Sequence, residues 1–417
     1  MHPALCFFQV FMDRKDFPIF KVNKKAEASL RSGHPWVYAE EVTDVFGEVT
    51  NGCLAHVSSP KGAYLGTGLV SLESKIRVRV LSSNPNEQFT PLFWKRRIKY
   101  AVDYRKTVMQ GNLENCRLIF GESDGIPGLT ADKFGGIIVT QVLSYGIEKL
   151  KDTIYPLICE VLEEEGEHIE GIYERNDVIL REKEGLPQCK GWYEGLPHPQ
   201  KTSADITENG IIYTVDFENG QKTGFFLDQK FNRAEVAKLA KGKKVLDCFT
   251  HTGSFALNAA KGGAQRVCAV DISADALETA KENARRNSLE DRIDFVCADV
   301  FDLLTELDKK GGKPYDMIIL DPPAFTKSRK TVSAATRGYK EINYKAMKLL
   351  PRGGYLATCS CSHFMESALF EKMLAEAAKD ASVQLVQIEA RQQGADHPVL
   401  WNVPETDYLK FYLFRVV

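Results

Sequence analysis

The sequence lacks the regular spacings by which cysteines build disulfide frameworks or zinc sites. Its ten cysteines are scattered over 417 residues, no Cys-x-x-Cys occurs, and the only close pair is Cys359 and Cys361. Secreted disulfide scaffolds and zinc modules both need cysteines at short, recurring spacings. We therefore expect a protein of a reducing, cytoplasmic compartment that has free thiols and binds no metal.

Long apolar runs are also missing. No stretch approaches the about 20 apolar residues that a membrane-spanning helix needs. The apolar segment from Ala4 to Met12 is short, and it has neither a basic region before it nor a small-residue cleavage site. Residues 1–17 are therefore predicted to be an N-terminal extension and not a signal peptide.

Excess positive charge is a third absence. The formal net charge is −2, which argues against a protein that coats nucleic acid and confines any such contact to local patches. The apolar content of 44% and the charged content of 26% are typical of a globular protein. The length suffices for two or three domains.

Three zones differ in their residue patterns. Residues 18–84 hold short β-like runs separated by glycines, which predict a small β-barrel. Residues 85–215 mix helical and strand patterns, beginning with a helix from Phe93 to Met109. Residues 216–417 alternate short apolar strands with helices. This alternation predicts an α/β fold with a doubly wound parallel sheet, whose ligands bind at the carboxyl ends of the strands.

A glycine-containing loop joins the first strand of the third zone to its helix. Asp247 ends the strand, and Gly253 permits close approach of a ligand to the backbone where the helix begins. The loop contains no Gly-x-Gly-x-x-Gly, so it lacks the diphosphate cradle that NAD and FAD need. S-adenosylmethionine, an adenosine that carries an amino acid, fits better, with Asp247 facing its ammonium group.

Aspartates also end the next three strands. Asp271 is placed to accept hydrogen bonds from ribose hydroxyls, Asp299 from the adenine amino group, and Asp321 completes the series. Each aspartate alone has an alternative interpretation as a helix cap or turn residue. The series of four favours a cofactor site. Its predicted residues are Phe225, Phe226, Asp247, Phe249, Thr250, Gly253, Asp271, Ile272, Asp299, Val300 and Asp321.

The two phenylalanines of this set lie in a segment flanked by glycines, from Gly220 to Gln229. A ring of Phe225 or Phe226 would stack on adenine or cover the sulfonium in a cation–π contact. The alternative is a β-turn whose aromatic residues belong to the core.

The apolar run Met317–Leu320 is followed by Asp-Pro-Pro-Ala-Phe at residues 321–325. The two prolines have no N–H donor and a fixed φ, so they end the strand and hold the turn open. Such a turn places a carboxylate and an aromatic ring at the edge of a cleft that suits a flat, polar base. Cys359 and Cys361 end the neighbouring strand, which brings a thiol to the same edge.

Six motifs carry a resemblance to a known family. They are Gly33–Tyr38, Gly121–Leu129, Gly220–Gln229, Asp321–Phe325, Ser360–Ser362 and Ala395–Val399. In them, and over nearly the whole chain from about Phe17, the sequence resembles the large-subunit ribosomal RNA methyltransferase I family, which forms 5-methylcytosine in 23S rRNA. The resemblance implies an N-terminal PUA β-barrel that binds RNA (18–84), a central mixed α/β domain (85–215) and a Rossmann-like class I methyltransferase domain (216–417). It also implies S-adenosylmethionine as cofactor and 23S rRNA as partner. The oligomeric state stays open, and a homodimer is compatible with the sequence.

This chemistry needs a thiol because carbon 5 of cytosine is a poor nucleophile. Thiolate attack at carbon 6 makes the base enamine-like and activates carbon 5. The resemblance identifies Cys361 as the nucleophile, whereas Cys359 stands at the position of the cysteine in the Thr-Cys pair of other RNA cytosine methyltransferases. Strand alternation puts both on one face, and the alternative is that both are small apolar residues of a buried strand. Many such enzymes have a second cysteine where this chain has Pro323, so the base that removes the carbon 5 proton stays unassigned.

The predicted substrate contacts surround this turn. Asp321 is expected to hydrogen-bond the cytosine edge, and Phe325 to stack on the base. The predicted substrate-binding residues are Pro322, Pro323, Phe325, Lys327, Arg329 and His397. For His397 a purely structural role is the alternative. Basic residues at Lys330 and Arg337, and a second basic cluster between Lys95 and Lys106, are candidates for phosphate contact. For the second cluster a solvated helix face is the alternative.

Two other functions are compatible with the sequence. A nitrogen-directed rRNA methyltransferase, for example a guanine-N7 enzyme, would need no thiol. A noncatalytic RNA-binding factor of ribosome assembly would have a degenerate methyltransferase fold, and the intact acidic series weighs against it. In every enzymatic interpretation the target base must be unpaired or flipped out of its helix.

Overall fold

A computed structural model describes residues 14–326 and 328–417. Lys327 and residues 1–13, which are most of the predicted N-terminal extension, lie outside the described residues. Within the described part, no helix is both long and apolar enough to cross a membrane. The same residues contain no group of three or more histidine, cysteine, aspartate or glutamate side chains arranged to hold a metal ion.

The first zone is a six-stranded sheet with one helix. In chain order its elements are β1 (Ile19–Val22), α1 (Lys24–Arg31), β2 (Trp36–Tyr38), β3 (Val42–Phe46), β4 (Leu54–Ser58), β5 (Tyr64–Val70) and β6 (Ile76–Ser82). The strand order is β2-β6-β5-β4-β1-β3, and only β1 and β4 pair in parallel. The short β-like runs of the sequence, at residues 36–38, 52–57, 64–70 and 76–81, correspond to β2, β4, β5 and β6. No such run marks β1, which has four residues, or β3, whose mostly exposed side chains do not alternate.

The second zone has its own sheet and two long helices. Its elements are α2 (Pro91–Val108), β7 (Asn115–Phe120), β8 (Leu129–Phe134), β9 (Ile137–Val142), α3 (Tyr145–Glu164), β10 (Gly171–Asn176) and β11 (Cys189–Trp192), and the sheet order is β11-β10-β9-β8-β7. A separate hairpin of β12 (Ser203–Glu208) and β13 (Ile211–Asp216) follows. Its side chains Ile206, Tyr213 and Val215 join the core beneath the third zone.

The basic residues of α2 mostly face acidic partners and not an open surface. Lys95 Nζ lies 2.8 Å from Glu160 and 2.6 Å from Glu164, both on α3. Lys99 lies 2.7 Å from Glu165, which also pairs with Lys106. These ion pairs join α2 to the α3 region and favour the alternative of a solvated helix face, while RNA contact by this cluster stays a prediction.

The third zone is the predicted doubly wound sheet. Its elements are α4 (Lys230–Leu239), β14 (Lys244–Cys248), α5 (Ser254–Lys261), β15 (Arg266–Asp271), α6 (Ala274–Arg286), β16 (Ile293–Cys297), α7 (Val300–Lys310), β17 (Met317–Leu320), α8 (Val332–Leu349), β18 (Tyr355–Ser360), α9 (Ser367–Asp380), β19 (Leu385–Arg391) and β20 (Lys410–Val416). The order is β16-β15-β14-β17-β18-β20-β19. The first five strands are parallel, and β20 and β19 close the sheet as an antiparallel pair. The predicted Rossmann-like fold is thus confirmed.

Burial on both faces explains why the central strands are continuously apolar. Along β17, Met317 and Ile319 belong to the core on one face, while Ile318 and Leu320 belong to the core on the other. A strand covered by helices on both sides has no polar face, so the two-residue alternation of an exposed strand disappears. Because β14 to β18 are parallel, their carboxyl ends meet at one edge of the sheet.

Candidate active site

The loop after β14 holds a buried carboxylate with an unused oxygen. Asp247 is 1% exposed, and its Oδ2 accepts a 2.5 Å hydrogen bond from Thr250 Oγ1. Its Oδ1 is buried without a partner among the described residues. Burial, helped by the nearby charges of Asp321 and Asp271, raises the pKa of Asp247 to about 7. A cationic group of a ligand would satisfy this oxygen and restore the ionised form.

The same loop stores backbone strain. Phe249 and His251 have φ angles of 63° and 51°, a region that residues with side chains rarely adopt. Gly253 has a φ of 82°, and a Cβ there would lie 3.0 Å from Ala280 Cβ. Left-handed residues of this kind are found where the surrounding structure imposes them, which is common in ligand-binding loops.

The aspartates at the next two strand ends have different local roles. Asp271 accepts backbone hydrogen bonds from His251 (2.8 Å) and Ser273 (2.9 Å), and thereby links the first and second loops. Asp299 caps α7, because its Oδ1 accepts from the N–H groups of Phe301 and Asp302. Oδ1 of Asp299 thus acts as a helix cap, as the alternative interpretation predicts. Only the other carboxylate oxygen is left to bind a ligand. Beside them, Ile272 is 70% exposed and Val300 is buried.

The two phenylalanines after Gly224 point in different directions. Phe225 is buried, and its ring lies 5.0 Å from that of Tyr213 and under the guanidinium of Arg233. Its ring thus belongs to the core, as in the alternative of a turn with core aromatic residues, and contact of Phe225 with the cofactor stays a prediction. Phe226 is half-buried, with its ring 5.4 Å from His251 of the strained loop and 5.0 Å from Lys222 Nζ.

Charged residues of the second zone hold this segment in place. Arg175 on β10 donates to the carbonyl oxygens of Phe217 (2.9 Å) and Gly220 (2.8 Å). Thr223 Oγ1 donates a 2.6 Å hydrogen bond to Asp132 on β8. The sequence reasoning did not find these residues. A signal was present, because charged residues inside otherwise buried strands usually mark a specific partner.

The Asp-Pro-Pro turn follows directly on β17. Oδ1 of Asp321 accepts a 3.0 Å hydrogen bond from Gln229 Nε2. Burial and the nearby Asp228 raise the pKa of Asp321 to about 6. Pro322 is buried and Pro323 is exposed, so the turn opens toward solvent at its second proline.

The two cysteines of β18 occupy different environments. Cys359 is fully buried in the core, where burial and Asp321 raise its pKa well above the usual value. Strand β18 ends at Ser360, so the expected alternation does not extend to Cys361. Cys361 is partly exposed, and its Sγ lies 3.9 Å from the Pro322 carbonyl oxygen. Burial and Asp321 raise the pKa of Cys361 to about 11, while Lys222 lowers it.

Phe325 is half-buried. Its ring packs 4.5 Å from that of Tyr339 and 5.8 Å from that of Phe301, at the border of the core. Stacking of the target base on this ring stays a prediction. Arg329 is exposed, and Lys327 lies outside the described residues.

His397 lies inside the protein beside the second zone. It is 3% exposed, its Nδ1 lies 3.0 Å from Asp396 Oδ1, and its ring packs against Phe120. Asp396 also accepts from the backbone N–H of Arg117. The structural alternative for His397 therefore accounts for its burial and its contact with Asp396. A positive charge on His397 would help to lower the pKa of Asp228.

Lys410 and Asp228 complete the surroundings of the thiol, and the sequence reasoning had identified neither. Lys410 Nζ is buried and donates to the carbonyl oxygens of Ser362 (2.7 Å) and Tyr408 (2.9 Å). Burial lowers the pKa of Lys410 to about 8. Asp228 is 6% exposed and accepts a 2.6 Å hydrogen bond from Tyr408 through Oδ2.

Comparison with known proteins gives a consistent picture. Residues 174–415 match a family described as S-adenosylmethionine-dependent methyltransferase, and residues 20–83 match a PUA-like domain. The chain is 41% identical over 396 residues to ribosomal RNA large subunit methyltransferase I of Aliivibrio fischeri, covering 94% of this chain and 98% of the relative. It is 42% identical over 400 residues to the protein of the same name in Shewanella denitrificans, covering 95% and 98%.

Two solved structures share the fold across nearly the whole chain. One is described as an S-adenosylmethionine-dependent methyltransferase from Streptococcus mutans, with a TM-score of 0.79 and 22% identity over 95% of this chain and 99% of that one. The other is a methyltransferase designated SMU.776 in complex with SAH, with a TM-score of 0.81, 22% identity and the same coverage.

Proposed function

We propose, on the premise that the chain belongs to the ribosomal RNA large subunit methyltransferase I family, that it methylates carbon 5 of a cytosine in 23S rRNA through a covalent adduct with Cys361. Its cofactor is S-adenosylmethionine. The observation that carries the proposal is the position of Cys361, whose Sγ lies beside the Asp-Pro-Pro turn, 3.9 Å from the Pro322 carbonyl oxygen.

The residues at the carboxyl ends of β14 to β16 fit the cofactor. The unpaired Oδ1 of Asp247 would accept its ammonium group, and Asp271 would accept the ribose hydroxyls. The free oxygen of Asp299 is left for the adenine amino group. Gly253 lets the loop pack against α6, where a Cβ would lie 3.0 Å from Ala280 Cβ. The cofactor supplies a methyl group bound to a positively charged sulfur.

Cys361 would activate the base by addition. Its thiolate forms a bond to carbon 6 of cytosine, and the electron pair of the 5,6 double bond makes carbon 5 nucleophilic. After carbon 5 has gained the methyl group, a base takes the proton from carbon 5, the double bond re-forms, and the sulfur leaves as thiolate. Lys222 favours the thiolate of Cys361, because its positive charge lowers the pKa of that thiol.

Asp321 would bind the Watson–Crick edge of the same base. A 3.0 Å hydrogen bond from Gln229 holds the carboxyl group of Asp321. Because the pKa of Asp321 is about 6, a fraction of the molecules carries a proton on this group near neutral pH. A protonated Asp321 would donate to N3 of cytosine, which draws electrons from the ring and favours addition at carbon 6. Cys359, buried beside Asp321, has a supporting role in this scheme.

The RNA would be held by the other zones and by exposed cations near the turn. We assign RNA binding to residues 18–84, which include the PUA-like match, and the catalytic domain to residues 216–417, with residues 85–215 between them. Arg329, Lys330 and Arg337 are exposed close to the turn and suit phosphate contacts.

Nucleoside mass spectrometry of ribosomal RNA tests the proposal. A strain that lacks this chain should lose one 5-methylcytosine of 23S rRNA, and the wild-type gene should restore it. Cys361→Ala should not restore it, whereas Cys359→Ala should restore it at least in part, because its thiol is enclosed in the core.

Other outcomes would support the alternatives. If the double variant Cys359→Ala/Cys361→Ala restores full methylation, no thiol takes part, and a nitrogen-directed reaction such as guanine-N7 methylation gains support. If the purified chain binds no S-adenosylmethionine by calorimetry, the noncatalytic assembly factor gains support.

A further inference from the structure

Asp228 is an immobilised carboxylate that the proposed chemistry does not yet use. It lies in a short 3₁₀ helix, Leu227–Gln229, directly after the segment that carries Phe226. Tyr408 donates a 2.6 Å hydrogen bond to Oδ2 of Asp228, and the backbone carbonyl of Asp228 accepts a 2.8 Å hydrogen bond from Gly394. Both the side chain and the backbone of Asp228 are therefore held, and the residue is 6% exposed.

The other oxygen of this carboxylate lacks a partner. Oδ1 of Asp228 is buried, and none of the described residues donates to it. Burial opposes ionisation, but His397, Lys222, Arg117 and the Tyr408 hydroxyl together lower the pKa of Asp228 below its usual value. An ionised carboxylate only accepts hydrogen bonds, and leaving a buried acceptor unpaired is costly. A ligand that brings an N–H donor would satisfy it.

The free oxygen belongs to the cleft that contains the thiol and the Asp-Pro-Pro turn. Gln229, the next residue, donates to Asp321. Tyr408, which holds Asp228, lies two residues before Lys410, whose ammonium group donates to the carbonyl of Ser362 next to Cys361. The negative charge of Asp228 reaches both Cys361 and Asp321 and raises the pKa of each. Asp228 is therefore linked through its chain neighbours and through its charge to both the Asp-Pro-Pro turn and the loop that carries Cys361.

We infer that Asp228 accepts a hydrogen bond from the exocyclic amino group of the target cytosine and thereby selects cytosine over uracil. The inference rests on the proposed function. Cytosine presents an N–H donor at position 4, whereas uracil presents a carbonyl acceptor at the same place, and carboxylates are suited to the former. With uracil, the carbonyl oxygen would face the carboxylate of Asp228, and neither acceptor would have a hydrogen-bond donor. Sites built on such a hydrogen bond strongly reject a base that lacks the donor.

The test pairs a protein variant with a change in the base. Two synthetic RNAs span the methylated site, one with cytosine and one with 2-pyrimidinone, in which hydrogen replaces the amino group. The single-turnover rate of methyl transfer from S-adenosylmethionine to each RNA is measured for the wild-type chain and for Asp228→Ala. The different intrinsic reactivity of the two bases cancels, because each base is compared with itself between the two proteins.

The expected result is a selective loss. Asp228→Ala should slow reaction with the cytosine RNA about 10- to 100-fold, the size typical of a lost hydrogen bond to a charged group, and leave the 2-pyrimidinone RNA within about threefold. Tyr408→Phe keeps the free oxygen and should have the smaller effect on cytosine. Asp228→Leu has a similar size and no oxygen acceptor, so it allows the same comparison if Asp228→Ala does not fold, as judged by cofactor binding in calorimetry.

Two outcomes would overturn the inference. If both RNAs are slowed by the same factor, Asp228 acts without contacting the amino group. If neither is slowed, it does not act on the base at all. If the wild-type protein methylates neither RNA, the proposed function itself fails, which is a distinct result.

Discussion

The side-chain amide of Gln229 donates a 3.0 Å hydrogen bond to the carboxyl group of Asp321. This bond joins two segments that are 92 residues apart, the loop before α4 and the turn after β17. Because Asp228 precedes Gln229, the same contact sets the position of the Asp228 carboxylate relative to the Asp-Pro-Pro turn. The proposed base site thus depends on a loop that the second zone holds through Arg175 and Asp132.

The thiols of Cys361 and Cys359 should differ in reactivity. Iodoacetamide should label Cys361 in the native protein and leave Cys359 unlabelled, because only Cys361 is partly exposed. With a pKa of about 11 for Cys361, the thiolate fraction and the labelling rate should rise about tenfold per pH unit between roughly pH 7 and 9. Peptide mass spectrometry measures both, and equal labelling of the two cysteines would contradict the assignment.

Lys222 offers a matched control for that measurement. Lys222→Met should slow the labelling of Cys361 near neutral pH, because removal of the ammonium charge lets the pKa of the thiol rise further. Lys222→Arg keeps the charge and should keep most of the rate. Identical rates for the two variants would show that the charge of Lys222 does not reach the thiol.

Asp247→Asn should stabilise the cofactor-free protein at alkaline pH and weaken cofactor binding. The folded-state pKa of about 7 lies above the unfolded value of about 3.9, so the unfolded state binds fewer protons at intermediate pH. Asp247 therefore lowers stability as pH rises from about 4 through 7. Calorimetric scans should show a larger gain in Tm for Asp247→Asn at pH 8 than at pH 4.

The same variant, Asp247→Asn, should bind the cofactor more weakly, although it stabilises the cofactor-free protein. The affinity for S-adenosylmethionine should fall about tenfold or more in Asp247→Asn, because a charge-assisted hydrogen bond to the ammonium group is lost. Isothermal titration measures it. An unchanged affinity would separate Asp247 from the cofactor and leave only the effect on stability.

Gly253→Ala should impair cofactor binding more than a comparable glycine change elsewhere. Both Gly253 (φ 82°) and Gly242 (φ 71°) adopt left-handed conformations, so alanine at either position should cost about 1 kcal/mol or more in the free energy of unfolding. At Gly242 the added Cβ meets open space, whereas at Gly253 it lies 3.0 Å from Ala280 Cβ. Thermal unfolding and titration of both variants should show loss of affinity only for Gly253→Ala.

Arg329 and Lys95 should differ in their effect on RNA affinity. Arg329 is exposed near the proposed active site, and Arg329→Ala should weaken RNA binding and reduce the dependence of log Kd on log salt by about one unit. Lys95→Ala should change neither, because its charge is already paired with Glu160 and Glu164. Filter binding over a range of salt concentrations measures both. Equal effects of the two substitutions on RNA binding would indicate that the α2 surface also contacts RNA.

Local patterns predicted the third zone well. Regular alternation of apolar strands and helices indicated the parallel sheet, and the series of four aspartates indicated its strand ends. These are short-range features, so one sequence suffices to read them. β1 and β3 escaped prediction because their pairing partners, and not their own side chains, make them strands.

The sequence by itself determined the acidic series at the strand ends, the two-proline turn and the thiols beside it, since each follows from residue types at short spacing. Tertiary structure alone decided how those groups are used. It enclosed Phe225 and Cys359 in the core, packed Phe325 at the border of the core, left Cys361 partly exposed, and turned the cations of α2 toward acids near α3. It also brought Asp228, Asp321 and Tyr408 together across the chain. Burial and pairing depend on residues distant in sequence, and no local pattern encodes them.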